Sequence, residues 1–236
     1  MLDRLSIYWY TLTMNRLDIN KQTQIIRCLA EGNSIRGTSR ITGNSKDTVM
    51  KLLVDVGKAC IEYQDKAFHD LNCKRIQCDE IWSFCYAKEK NVPEGKKGQF
   101  GYGDVWTWTA ICADTKLVPS WVIGNRDYET AEVFIDDLAS RLKNRVQLTT
   151  DGHKAYLEAV EGAFGCEIDY SQLIKLYGND GIKGEGKYSP GECTGTKINN
   201  VTGNPDPKHV STSCMEAGVT DHAWDIKEIL ALINSN

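Results

Sequence analysis

The chain has 236 residues, of which 41% are hydrophobic and 25% charged, and its formal net charge is −4. That length allows one full domain and a smaller one. No apolar run approaches the ~20 residues that a membrane-spanning helix needs, and residues 2–14 lack the small-residue cleavage site of a signal peptide. The sequence therefore predicts a protein without a membrane segment.

Charge is distributed unevenly along the chain. Residues 1–75 contain 12 Lys and Arg against 8 Asp and Glu, whereas residues 76–236 contain 16 against 24. A basic front and an acidic remainder indicate that one part binds a polyanion and the other holds carboxylates that need cations. A solvated helical surface can carry the same excess, so charge alone does not decide the matter.

The nine cysteines include no Cys-x-x-Cys pair, and most of them lie inside apolar runs. Zinc sites and disulfide frameworks depend on characteristic cysteine spacings, which are missing here. Reduced, buried thiols are therefore expected.

Helices are predicted at residues 18–31, from Ser34 onward, at 45–56 and, by continuation of the pattern, at 57–72. Asp18, Ser34 and Ser45 are side chains that cap helix starts. Met14 stands just before the first helix, so residues 1–13 are interpreted as an upstream extension.

Two short helices joined through Gly43 and Asn44, after a preceding helix, have the layout of a helix-turn-helix unit. The start of its last helix enters the major groove of DNA. A three-helix packing module with solvated charges is the alternative. The residues predicted near DNA are Asn44, Lys46, Asp47, Thr48 and Lys51 at the groove, with Arg36 and Arg40 near backbone phosphates.

Residues 75–86 alternate as a strand does and carry Asp79 and Glu80 in their middle, so the two carboxylates point to opposite faces. A buried carboxylate needs compensation, and both a divalent cation and a salt bridge to Lys or Arg would supply it. Asp151 directly follows another predicted strand, residues 146–150, where a sheet offers a ligand to a site. Asp79 and Asp151 together predict a metal site.

The remaining predicted elements follow the order β-β-β-α-β-α-β, which is the order of a ribonuclease-H-like domain. They are a strand at 75–86, a charged loop at 88–103, strands at 105–113 and 117–123, a helix at 128–143, a strand at 146–150, a helix at 156–164, a short strand at 166–170 and a glycine-rich loop at 178–203. The predicted fold class is α+β, with a helix-turn-helix followed by a shortened ribonuclease-H-like domain. Strands one and four are neighbours in that fold, so Asp79 and Asp151 would meet there and bind Mg²⁺.

Four segments of the sequence carry a resemblance to a known family: Cys78-Asp79-Glu80-Ile81-Trp82-Ser83, Gly103-Asp104-Val105-Trp106-Thr107-Trp108, Thr149-Thr150-Asp151-Gly152-His153 and Gly203-Asn204-Pro205-Asp206-Pro207-Lys208-His209. Through them, residues 14–213 resemble bacterial transposases of the insertion-sequence-one family. The resemblance implies DDE chemistry, in which Mg²⁺, or Mn²⁺ substituting for it, is held by two Asp and one Glu, and Asp79 and Asp151 match the two Asp. It also implies a cytoplasmic, nucleoid-associated homo-oligomer that binds transposon terminal inverted repeats and target DNA.

The family's third carboxylate, a Glu on a long helix, has no match in this sequence. Residues 211–213 run directly into a segment that resembles the family's C-terminal end, which indicates an internal deletion and makes residues 214–236 a tail. Glu216 is not expected to replace the missing Glu, because metal-ligand geometry is exacting. The expected protein is a catalytically impaired transposase. The alternatives are a non-catalytic derivative that competes for terminal repeats and an unstable relic.

Further expectations concern single side chains and the tail. Glu80 matches the residue beside the family's first Asp, and the alternative is that it is an outward-facing strand residue without a role in the site. His153 is expected to be exposed with an ordinary pKa. The Trp residues of the strands, Trp82, Trp106, Trp108 and Trp121, are expected to pack in the core rather than stack on flipped bases. The tail is expected to form a short amphipathic helix.

Overall fold

A computed structural model describes residues 16–177 and 193–211 of the chain. The predicted extension at residues 1–13, most of the glycine-rich loop, the tail and Glu216 lie outside these residues. The described chain divides into two compact units, residues 16–67 and residues 68–177 with 193–211, and together they are of mixed α and β structure. No helix in the described ranges combines the length and apolar character needed to cross a bilayer.

The first unit consists of three helices: α1 (Ile19–Ala30), α2 (Ile35–Thr42) and α3 (Lys46–Ala67). The three predicted caps form as expected. The Asp18 carboxylate accepts from backbone N–H groups in the first turn of α1, the Ser34 hydroxyl accepts from the second helix and the Ser45 hydroxyl from the third. Gly43 ends α2 with φ of 71°, a left-handed conformation that glycine adopts without strain. The residues buried between the helices are Ile25, Ile26, Val49, Leu52 and Val56.

The third helix continues through Gly57, as the sequence pattern predicted, and runs as one helix of 22 residues that ends at Ala67. Leu53 and Ile41 are exposed, because only a narrow side of each helix meets the other two. Cys60, beyond the packed part of α3, is exposed as well.

The second unit is built on a six-stranded mixed sheet with strand order β3-β2-β1-β4-β5-β6. The strands are β1 (Arg75–Cys85), β2 (Gly103–Cys112), β3 (Ser120–Gly124), β4 (Gln147–Thr150), β5 (Asp169–Tyr177) and β6 (Cys193–Thr202). The pairs β1–β4 and β4–β5 are parallel, and the other three are antiparallel. The first three strands thus form the predicted meander, and the helical crossovers bring β4 and β5 alongside in parallel.

Helices α4 (Tyr128–Arg141) and α5 (Ala155–Phe164) connect the strands and contribute to the core. One side of α4 is apolar, and its residues Ala131, Phe134, Ile135 and Leu138 are all fully buried. This stripe packs into a cluster with residues of four strands and of α5, among them Trp108, Leu148, Tyr156 and Tyr170. This core fixes the ends of β1 and β4, where the candidate site lies.

The far edge of the sheet differs from the prediction. β5 is longer than the expected strand at 166–170, and β6 lies in the stretch predicted as a glycine-rich loop. The glycines of that stretch cluster before residue 192, whereas residues 193–202 contain one glycine and the strand-forming Thr196, Ile198 and Val201. The strand at residues 193–202 was not predicted, because the glycine content of residues 178–203 is high when they are taken together.

The thiol prediction holds for part of the described chain. Cys73, Cys78 and Cys112 are buried and unbridged, in agreement with the expectation, whereas Cys85 and Cys166 are exposed.

Phe134→Ala is expected to lower the free energy of unfolding by about 3–5 kcal/mol, because it leaves a large cavity in the core. Urea unfolding followed by circular dichroism measures the change. Val133→Ala is the matched control, since Val133 is exposed on the same helix, and it is expected to change stability by less than about 0.5 kcal/mol. Equal losses in the two variants would contradict the assignment of the core.

Candidate active site

Three carboxylates converge where β1 and β4 separate. The two strands pair in parallel from Arg75 beside Gln147 to Gln77 beside Thr149, and the same offset continued by two residues sets Asp79 opposite Asp151. Glu80 joins them, and one carboxylate oxygen from each of the three residues lies within 4.8 Å of the other two. The structure thus brings together the two predicted carboxylates and adds a third.

Glu80 is not the outward-facing strand residue that the sequence allowed as an alternative. It lies on the same face of β1 as the buried Ile76 and Cys78, and its side chain is only 2% exposed. Its Oε1 atom is buried without a hydrogen-bond partner. The Tyr156 hydroxyl is close enough to lower the pKa of Glu80, although no well-formed hydrogen bond joins the two groups. Position in the strand alternation, not chemical type, decides the face on which this carboxylate lies.

The Arg126 guanidinium bridges two of the three carboxylates. Its Nε donates to Glu80 Oε2 and its second terminal nitrogen donates to Asp151 Oδ2, each at 3.0 Å. The same guanidinium lies over the Trp106 ring, 5.1 Å from the ring centroid. Of the two forms of compensation considered from the sequence, the salt bridge is therefore present in the structure.

The site makes ionisation of Asp79 and Glu80 harder than in water, because it raises the pKa of both. Burial raises the pKa of Asp79, and the neighbouring Asp151 charge adds to the rise, against a backbone hydrogen bond from Glu80 and the charges of Lys175 and Arg126. Burial also raises the pKa of Glu80, again helped by Asp151 and opposed by Tyr156 and Arg126. Arg126 therefore offsets only part of the penalty, and an added cation would stabilise both charged forms.

An open cleft of about 580 Å³ lies beside the carboxylates. Asp79 and Asp151 line its floor, and Lys154 and Lys175 contribute ammonium groups to its lining. Carboxylate oxygens are the ligands that Mg²⁺ and Mn²⁺ prefer, and lysines bind phosphates as point charges. The cleft thus combines groups suited to a divalent cation with groups suited to a phosphodiester.

His153 differs from the expectation of an exposed histidine with an ordinary pKa. Its ring is half-buried and meets Trp108 edge-on, with centroids 5.8 Å apart. Burial lowers the pKa of His153, and the Arg126 charge lowers it further, against an opposing effect of Asp151. The turn between β4 and α5 folds the ring over Trp108 and Tyr156, and so this loop residue is partly buried.

The strand tryptophans divide into two groups. Trp108 is fully buried in the core, as predicted, and Trp106 is partly buried under Arg126. Trp82 and Trp121 are 38% and 36% exposed, so the expectation of core packing is wrong for these two. The core cluster ends before it reaches them.

The residues predicted near DNA all lie in the first unit. Arg36, Arg40, Lys46, Asp47 and Lys51 are exposed there. Asn44 and Thr48 are half-buried. The Asn44 amide donates to the backbone carbonyl of Thr42, and the hydroxyls of Thr48 and Ser45 hydrogen-bond each other. Their side chains therefore support the turn and the helix cap.

Sequence reasoning missed Glu80, Arg126 and Tyr156 as members of the site. The register of β1 places Glu80 on the core face, and two buried residues at the same spacing, Ile76 and Cys78, were the signal that could have revealed it. Arg126 follows β3 directly and precedes Asp127, the cap of α4. A cation at the end of a strand is a weak signal, because its carboxylate partners lie 25 and 46 residues away in sequence.

No family model matches the chain, and no curated protein matches it.

Mn²⁺ binding is expected to weaken as the pH falls from about 8 to about 5, because Asp79 and Glu80 must be deprotonated and their pKa values are raised. Calorimetric titration at several pH values measures the affinity, and Glu80→Gln is expected to flatten its pH dependence. In the metal-free protein, the stability of the fold changes with pH in the opposite direction. Because the pKa values of Asp79 and Glu80 are raised in the folded state, both groups favour folding at low pH. That contribution is lost as the pH rises through the folded-state pKa values. An affinity that does not change with pH would contradict this account.

Arg126→Gln is expected to bind Mn²⁺ about tenfold more tightly, because the cation no longer competes with a guanidinium for Glu80 and Asp151. The metal-free variant is also expected to melt at a lower temperature, since a buried carboxylate loses its partner. Arg145→Gln is the matched control, because Arg145 pairs with Asp169 and not with the three carboxylates. Weaker Mn²⁺ binding by the Arg126 variant would show that Arg126 supports the metal site instead.

Proposed function

We propose that the protein binds transposon ends and acts on DNA by metal-dependent phosphoryl transfer, in the manner of DDE transposases. The observation that carries the proposal is the convergence of Asp79, Glu80 and Asp151, with an oxygen from each within 4.8 Å of the others. Carboxylates this close in a partly buried site repel one another, and a bound divalent cation would relieve the repulsion that Arg126 offsets only in part. The resemblance of the segments around Asp79 and Asp151 to insertion-sequence-one transposases supports the same reaction.

The sheet supports assignment of the second unit to the ribonuclease-H-like class. Its order β-β-β-α-β-α-β, followed by β6, and the neighbouring positions of β1 and β4 agree with that class. Asp79 on β1 and Asp151 after β4 are then the two catalytic aspartates.

The first unit supports a helix-turn-helix that binds the duplex. A short α2, a tight turn at Gly43 and a capped α3 have the required layout, and Lys46 and Lys51 are exposed at the start of α3. Arg36 and Arg40 on α2 are exposed cations for backbone phosphates. The proposed partners are terminal inverted repeats, target DNA and further copies of this chain, in the bacterial cytoplasm at the nucleoid.

The residues of the site fit a divalent cation with oxygen ligands. Asp79, Glu80 and Asp151 would hold Mg²⁺ or Mn²⁺, and the buried Glu80 Oε1 that lacks a partner is an unused ligand atom. Such an ion polarises a phosphoryl oxygen and makes water or a 3′-hydroxyl a better nucleophile. Lys154 and Lys175 orient the phosphodiester in the cleft, and His153 with its lowered pKa is a neutral imidazole at pH 7.

The proposed enzyme is impaired, because its set of carboxylates departs from that of the family. Glu80 comes from the strand that already carries Asp79, whereas the family's glutamate comes from a separate long helix. A second candidate, a non-catalytic derivative that competes for terminal repeats, is favoured by one observation: Arg126 already forms ion pairs with Glu80 and Asp151.

Cleavage of an end-labelled duplex that carries the terminal repeats tests the reaction. With Mg²⁺ or Mn²⁺, slow strand cleavage is expected, and Asp151→Asn is expected to abolish it while band-shift binding of the duplex persists. Asp136→Asn is the matched control, since Asp136 is exposed on α4 away from the site. Specific binding without cleavage would favour the competing derivative, and cleavage that survives Asp151→Asn would contradict the assigned site.

A further inference from the structure

The face of β1 that carries Glu80 changes character beyond it. Ile76 and Cys78 are buried in the core, and Glu80 is nearly so. Trp82 and Phe84, the next residues on the same face, are 38% and 47% exposed. Directly after the candidate active site, this face of β1 thus carries large apolar side chains that are exposed to solvent.

Further rings follow Trp82 and Phe84 along the chain and on the neighbouring strand. Trp82 lies opposite Trp106 in the β1–β2 pair, and its ring centroid is 5.7 Å from that of Phe84. Past the end of β1, the rings of Tyr86 and Tyr102 meet with centroids 5.0 Å apart. We call Trp106, Trp82, Phe84, Tyr86 and Tyr102 the aromatic row.

Cations lie over the rings of the row at three places. The Arg126 guanidinium covers Trp106, and the Lys88 ammonium lies 4.8 Å from the Trp82 centroid. The Lys96 ammonium lies 5.0 Å from the Tyr86 centroid and 4.7 Å from that of Tyr102. Residues 86–104 carry four lysines against three carboxylates, whereas the whole chain carries net charge −4. Four of the five rings of the aromatic row therefore have a cation over them.

We propose that the aromatic row binds an unpaired nucleic-acid strand and leads it to the three carboxylates. Single-stranded nucleic acids are bound by exposed aromatic rings on which bases stack and by cations that follow the phosphates. A duplex keeps its base faces stacked inside, and an apolar protein partner has no use for ammonium groups above the rings. The inference rests on the proposed function only for its final step, the delivery of a phosphodiester to the metal site.

The position of the row suits that delivery. Trp82 is two residues beyond Glu80 on one strand face, a distance of about 7 Å at the usual rise per residue. That span is close to one nucleotide step, so a base stacked on Trp82 would hold its neighbouring phosphate near the carboxylates. A frayed transposon end is the kind of strand that the row would take.

Binding of a fluorescein-labelled twelve-nucleotide oligothymidylate to the full chain, followed by anisotropy in the presence of EDTA, tests the proposal. EDTA removes metal-dependent chemistry, so the result is independent of whether the protein cleaves DNA. Trp82→Ala is expected to weaken binding about tenfold, the usual effect of losing one stacking ring, and Lys88→Ala is expected to weaken it less and to reduce its salt dependence. Circular dichroism and thermal melting establish that each variant is folded.

Trp121→Ala and Lys143→Ala are the matched controls. Trp121 has nearly the exposure of Trp82 but pairs with Thr109, which lies on the opposite face of the sheet from Trp106 and Trp108. Lys143 is an exposed lysine just after α4. Both controls are expected to bind like the unchanged protein.

Three results would overturn the proposal: no binding of the oligothymidylate, equal losses in the Trp82 and Trp121 variants, or loss through Lys46→Ala on α3 instead. Dimerisation that disappears in Trp82→Ala, without oligonucleotide binding, would instead identify the row as a contact between copies of this chain. If oligonucleotide binding depends on Trp82 but the protein never cleaves DNA, the aromatic row stands as a binding surface and the proposed reaction is refuted.

Discussion

The contact between the Arg126 guanidinium and the carboxylates of Glu80 and Asp151 is the interaction on which the candidate site depends. Arg126 follows β3, Glu80 lies in β1 and Asp151 follows β4, so one side chain joins three separate parts of the sheet. Without it, a carboxylate on the core face of β1 would face burial with no counter-charge, which proteins rarely tolerate. The Arg126 guanidinium binds carboxylate oxygens that a divalent ion would use as ligands. The contact therefore stabilises the fold and competes with metal binding.

The parallel pairing of β1 with β4 explains why carboxylates far apart in sequence meet. Parallel strands need a long crossover, and here the crossover runs through β2, β3 and α4, which pack the core beneath the site. The parallel pairing of β1 with β4 ends at Gln77 and Thr149, and beyond these residues the two strands are no longer paired. The gap is where Asp79 and Asp151 face each other, and it opens onto the cleft lined by Lys154 and Lys175.

Local features of the sequence predicted much of this arrangement. The caps at Asp18 and Ser34, the stripe of α4 and the position of Asp151 after a strand all follow from interactions within a few residues, so short patterns reveal them. Glu80 and Arg126 find each other only through tertiary packing, and no spacing in the sequence records that contact. β6 was missed because its few strand-forming residues adjoin a glycine-rich stretch, and the exposure of Trp82 depends on where the core ends, which composition does not specify.

The buried ion pair of Glu80 with Arg126 influences which substitutions this chain would accumulate during evolution. A buried carboxylate paired with a guanidinium is often no more stable than two apolar residues of similar volume, and it is less stable when one partner is lost. Stability alone would therefore favour a Leu or Met in place of the pair, with no gain from keeping the charges. A lineage released from selection for the chemistry of this site would be expected to lose Glu80 and Arg126 early while the sheet around them persists.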